Sequence, residues 1–207
     1  MPNMMASIIA CCRKLLDRAR LGLAVCCMLL ATAATAADIE VNDPRFALAD
    51  DSYVVSADFA IDFNNRLEEA VNRGVVLYFL VEFELTRPRW YWFDDKLITR
   101  SQTVRLSYHA LTRQYRVSTA SGGLHQSYSS LSEALRVLSR LRNWSVLEKN
   151  SEKAPKPGES MQGALRLRLD ISQLPKPFQI SALGSRDWNL ASEWKTWSIV
   201  LPAGESQ

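Results

Sequence analysis

Two histidines, His109 and His125, are the side chains of this 207-residue chain best suited to proton transfer near neutral pH. Their spacing does not make them a metal pair. His109 follows Tyr108 at the end of an alternating run, and His125 stands beside the turn pair Gly122-Gly123. Both read as surface or hydrogen-bonded residues. Asp94-Asp95 offers half of a cation site, but no further oxygen ligands follow at fixed offsets, so a turn is the simpler reading. Glu68-Glu69 falls on the exposed side of a short helix, whereas glycosidic cleavage needs carboxylates on facing elements. The serines sit in no Gly-x-Ser-x-Gly turn and no Ser-x-x-Lys set, and no glycine loop is built to cradle phosphate. The residues therefore point to no catalytic, cofactor or metal site. A hydrolase is the weakest expectation.

Rings and cations are concentrated in Arg87-Pro88-Arg89-Trp90-Tyr91-Trp92-Phe93. On a strand Trp90 and Trp92 share one face, and Arg89, Tyr91 and Phe93 share the other. Two readings stay open. One ring pair stands in solvent and meets a protein, a sugar or an apolar ligand, or one pair fills the core while arginines cover the other by stacking. Trp188, Trp194 and Trp197 make a second cluster, for which packing against a sheet edge is the default reading. The candidate binding surface is Arg87, Arg89, Trp90, Trp92 and Trp188.

The first 37 residues read as an export signal. Arg13, Lys14, Arg18 and Arg20 precede the apolar run Leu21 to Ala31, and small residues from Ala33 to Ala37 suit a signal peptidase near Ala36-Ala37. A spanning helix needs about 20 apolar residues, and this run is too short. Cys26 follows the bulky Val25, which is wrong for a lipoprotein signal. Cleavage removes all four cysteines, Cys11, Cys12, Cys26 and Cys27. The mature domain, 38–207, then has no thiol chemistry and depends on its core alone. The whole chain has 25 basic and 22 acidic residues; the signal holds the four basic residues named and Asp17, leaving 21 of each. A neutral domain has no global attraction to nucleic acid or to anionic membrane.

The elements that must position any site are mostly strands. Tyr53 to Phe63 alternates, with Tyr53, Val55, Ala57, Phe59, Ile61 and Phe63 on one face. Asn64 or Asn65 caps a short helix over Arg66 to Arg73 with the stripe Leu67, Ala70 and Val71, and Gly74 ends it. Val75 to Thr86 is the strongest strand: odd positions are apolar throughout, while even positions change from Val76, Tyr78 and Leu80 to Glu82 and Glu84. Leu97 to Tyr108 and Gln114 to Thr119 follow. Ser130 and Glu133 form a capping box for a helix that runs on through Leu141 towards Asn143-Trp144. Asn42-Asp43-Pro44 and Asp94-Asp95-Lys96 read as turns, and 150–163 as a polar loop. Leu165 to Ile171, Phe178 to Leu183 and Trp194 to Leu201 complete the strands. The expectation is a mainly β fold: an antiparallel β-sandwich with two short helices on its edges or, second, one curved sheet with both helices on a single face.

Three segments together resemble a known family. They are Gly74-Val75-Val76-Leu77-Tyr78-Phe79 running to Arg89-Trp90-Tyr91-Trp92, Leu106-Ser107-Tyr108-His109-Ala110-Leu111-Thr112-Arg113-Gln114-Tyr115, and Leu174-Pro175-Lys176-Pro177-Phe178 running to Ser185-Arg186-Asp187-Trp188. The chain resembles the proteobacterial domain-of-unknown-function family 4390 over nearly all its mature length. The resemblance implies a Gram-negative periplasmic protein and an association with a two-component sensor kinase and its response regulator. It brings no activity and no site residues. The first expectation is thus a non-enzymatic periplasmic interaction domain with an envelope protein as partner, such as the periplasmic region of a sensor kinase. The alternative is a carrier of an apolar or sugar-like molecule, with a pocket beside Val76, Tyr78 and Leu80.

Overall fold

Alternation at a period of two decides the architecture. The computed structural model describes residues 39–89, 95–119, 125–156, 158–182 and 184–201; residues 1–38, on which the expected export signal falls, and Trp90, Trp92, Asp94 and Gly122-Gly123 lie outside them. The strands are β1 (Ile39–Ala49), β2 (Ser52–Ile61), β3 (Leu77–Arg87), β4 (Asp95–His109), β5 (Gln114–Thr119), β6 (His125–Tyr128), β7 (Arg140–Glu148), β8 (Ser160–Leu169) and β9 (Lys195–Val200). They form a small sheet in the order β1-β2-β7 and a large one in the order β6-β5-β4-β3-β8-β9, antiparallel throughout.

The odd positions of β3, Leu77, Phe79, Val81, Phe83 and Leu85, are all buried. With Leu165 and Leu167 of β8 they face the small sheet, whose Val55, Ala57 and Phe59 are buried in turn. The Phe46 ring of β1 stacks on Phe83 at 6.0 Å, joining the two layers. Each such ring removes about 150–250 Å² from water, which makes this contact a main source of cohesion.

Three short helices complete the domain: α1 (Asn65–Asn72), α2 (Leu131–Leu138) and α3 (Lys176–Ala182). The Asn64 side chain accepts from the Leu67 amide at 3.0 Å, and Leu67, Ala70 and Val71 are buried as expected. The Tyr115 hydroxyl donates to Asn72 at 2.6 Å, which ties α1 to the inner face of β5. At α2 the Ser130 hydroxyl accepts from the Glu133 amide at 3.3 Å, while the Glu133 carboxylate takes the Ser129 hydroxyl at 2.9 Å. The fold is the expected antiparallel sandwich, and α1 and α2 lie on the same side of the large sheet as the small sheet. The other side of the large sheet is polar.

Five expectations are corrected. The helix predicted through Leu141 stops at Leu138, and 140–148 pair with β2 as β7, with Asn143 in the left-handed region at φ 48°. Asn42-Asp43-Pro44 is a bulge within β1, with Asp43 at φ 50°, because a proline cannot donate to the ladder and a bulge excuses it. Asp95 and Lys96 open β4, paired with Arg87 and Thr86, and so form no turn. Ser160 to Gly163, read as loop, pair with β9. Phe178 belongs to α3, whose Pro177 suits a first helical turn. His125 starts a strand, β6, that the sequence reading did not contain. Among the described residues no helix is long and apolar enough to cross a membrane.

Candidate functional site

The interior is filled at one end and open at the other. At the filled end Trp197 lies 6.1 Å from Phe83, and Gly163 makes room for it: a Cβ there would stand 2.8 Å from both Trp197 and Ile199. At the other end the facing residues are Val104 and Val117, too small to reach across. A cleft of about 610 Å³ remains between β4 and β5 on one side and β7 with α2 on the other. Its floor is Phe59, Val81, Val117, Leu138 and Leu141, all buried, and its rim is Gln102, Gln126, Arg140 and Asn143.

The walls are pinned. Arg100 donates through Nε to the Val146 carbonyl at 3.0 Å, tying β4 to β7. Arg142 donates to the Ala57 carbonyl at 2.9 Å and pairs with Asp58, so its charge is used in holding β7 on β2. Arg140 is exposed at the rim, and among the described residues no acid lines the cleft. An apolar floor with cationic and amide groups at the rim suits a molecule with an apolar body and an oxygen-bearing head.

The opposite face of the large sheet has a second recess, of about 410 Å³, lined by Tyr78, Arg105, Ser107, Arg116, Ser118 and His125 among others. Further along that face Glu82 accepts from Arg166 at 2.6 Å and from Arg168 at 3.0 Å. Partial burial alone would raise the Glu82 pKa, but the hydrogen bonds from Arg168 and Arg166 outweigh it and hold the carboxyl below its ordinary value.

The three surface candidates among the described residues, Arg87, Arg89 and Trp188, do not come together as one face. Arg87 pairs with Glu159 and lies 3.7 Å from Asp95, and Arg89 pairs with Asp95 at 2.8 Å. Both arginines thus close the base of the β3–β4 hairpin. Trp188 is only 3% exposed and packs on Phe178 at 5.7 Å, so it is a core residue and not a surface one. Trp90 and Trp92 lie outside the described residues. The pocket expected between the sheets beside Val76, Tyr78 and Leu80 is not found there: of the three only Tyr78 lines a recess, and that recess is polar and on the outer face, whereas the apolar cleft is lined by Val81 on the inner face of the same strand. His109 Nδ1 lies 3.2 Å from the Thr112 hydroxyl, and among the described residues neither histidine has a carboxylate at ion-pair distance. Among them, too, no group of three or more metal-ligating side chains is assembled.

Residues 36–198 match the family described as Domain of unknown function (DUF4390). The chain belongs to that family. No curated protein and no solved structure matches it. The cleft and the outer recess of this DUF4390 domain are therefore assigned on geometry alone. The cleft was hard to see in the sequence because its lining comes from β2, β3, β4, β5, β6, α2 and β7.

Proposed function

We propose that this DUF4390 domain is a non-enzymatic binding protein of the cell envelope, and that its inter-sheet cleft holds a small amphipathic molecule. The observation that carries the reading is the unfilled cleft of about 610 Å³ with a buried apolar floor, between sheets whose other end is filled by Phe83 and Trp197. That volume lies within the range of about 300–1,000 Å³ typical of ligand pockets. The occupant is an alkyl or similar apolar body, with a carboxylate or amide head turned towards Arg140 and Asn143. The basic, apolar and small-residue segments of 1–37 support export to the periplasm, where such a carrier meets lipid-derived molecules.

Trp144 lines the cleft and reports on it. Titration of the purified protein with laurate is expected to change Trp144 fluorescence saturably, and native mass spectrometry to show one laurate per chain. Val104→Trp, which fills the space, is expected to abolish both signals while the unfolding midpoint is kept. Bare protein at saturating laurate, or undiminished binding by the filled variant, refutes the reading. Recovery of the chain in the cytosol with Met1 intact refutes the envelope location.

A further inference from the structure

Every arginine on the outer face of β8 has an acid. Arg166 and Arg168 share Glu82. The other half of that face differs. Arg105 lies directly opposite Ser118 and Tyr78, Ser118 lies opposite His125, and Arg116 lies opposite Ser107 and Ser127. Arg105 and Arg116 are thus diagonal neighbours on adjacent strands, a spacing of about 7–8 Å that long side chains bridge easily. Among the described residues no acid lines the recess they form.

Arg116 Nε is shielded from water and has no hydrogen-bond partner. A buried guanidinium donor without an acceptor is costly, and two uncompensated cations on neighbouring strands repel. The Arg105 guanidinium stands 6.0 Å from the Tyr78 ring centre, which orients it without neutralising it. Around these cations stand the hydroxyls of Thr103, Ser107 and Ser118 and the imidazole of His125. The missing partner is an anion with several oxygens: one for the fork of Arg105, one for the orphaned Nε, and others for the hydroxyls.

We propose that the recess between β4, β5 and β6 binds a phosphate group, with Arg105 and Arg116 as its principal ligands. The site is on the opposite face of the sheet from the cleft and does not depend on the cleft reading. It is open to solvent, so it takes the phosphate end of a larger molecule and performs no chemistry on it.

Isothermal titration of the purified protein with inorganic phosphate, at constant ionic strength, is expected to show one saturable site. Arg116→Gln and Arg105→Gln should each weaken it at least tenfold. Arg116→Lys, which keeps the charge and removes Nε, should also weaken it severalfold. Arg168→Gln on the same face should change it less than twofold. Urea midpoints and circular dichroism check that each variant is folded. Glucose 6-phosphate and phosphatidate vesicles separate the sources: binding of the sugar ester alone assigns a soluble phosphate ester, and vesicle co-sedimentation lost in Arg116→Gln assigns a lipid headgroup. The proposal is overturned if phosphate binds no better than acetate or chloride, or if binding survives in both glutamine variants.

Discussion

The large sheet has two halves that the same strand chemistry treats differently. In the β3–β8–β9 half, Phe46, Phe83 and Trp197 fill the inner face, and Glu82 pairs with both Arg166 and Arg168 on the outer face. Arg166 also covers the Trp194 ring at 4.6 Å. In the β4–β5–β6 half the inner face ends in valines around a cleft, and the outer face carries Arg105 and Arg116 without acids. Interiors are normally packed and buried donors normally satisfied. The first half obeys both rules and holds the domain together. The second departs from both, and its departures lie back to back across the same two strands. Thr119 lines both recesses. The packed half supplies the ring contacts that hold the sheets together, and both proposed ligand sites fall in the other half.

The sharpest way to break that comparison is to truncate one apolar residue in each half. Phe83→Ala removes a fully buried ring and is expected to cost about 3–5 kcal/mol in urea unfolding. Val104→Ala, on the half-buried cleft wall, is expected to cost less than about 1.5 kcal/mol. Equal losses would mean that the cleft half bears the fold as much as the packed half does. Gly163→Val tests the packed half from the opposite direction. Its new side chain meets Trp197 and Ile199, where even a Cβ stands at 2.8 Å, and about 1–3 kcal/mol is expected to be lost. A neutral result would show that Trp197 moves freely and that the packed end is looser than its ring contacts imply.

The packed half was also the legible half. The odd positions of Val75 to Thr86 pick out the core of β3, and the alternation from Leu165 onward picks out β8, because a strand buried on one face writes its period directly. The α1 helix was legible to within a residue at each end, with Asn64 or Asn65 as its cap, and Asn64 is the one that accepts from Leu67. The other half was obscured by local ambiguity. Leu138 and Leu141 stand three apart, a helical spacing, yet a chain reversal at Ser139 separates them and puts Leu141 on β7. β6 is four residues long with no buried side chain, so it has no apolar period to read. Phe178 to Leu183 alternates weakly, and the first-turn prolines made α3 look extended. The cleft depends on β6 and β7, so its absence from the sequence reading follows from theirs. The recess was missed differently: Arg105 and Arg116 are visible in the chain, but only the β4–β5 register makes them neighbours.

The smallest expected effect concerns charge in the packed half. The Glu82 carboxyl titrates below its ordinary value in the folded protein because Arg168 and Arg166 hold it ionised against the cost of partial burial. Its stabilisation is therefore complete above the ordinary carboxylate value of 4.5 and is lost as pH falls through the lower folded value. Glu159, bound by Arg87, is lowered too and titrates in the same acid window. Glu82→Gln is expected to cost about 1 kcal/mol at neutral pH, since both arginines remain partly exposed and screened by solvent. It should also flatten the acid limb of the stability curve without abolishing it, since Glu159 remains. Urea midpoints measured from pH 7 down to acid decide this. An unchanged acid limb in Glu82→Gln would mean that Arg166 and Arg168 are no better compensated than Arg105 and Arg116, and the outer faces of the two halves would then be alike.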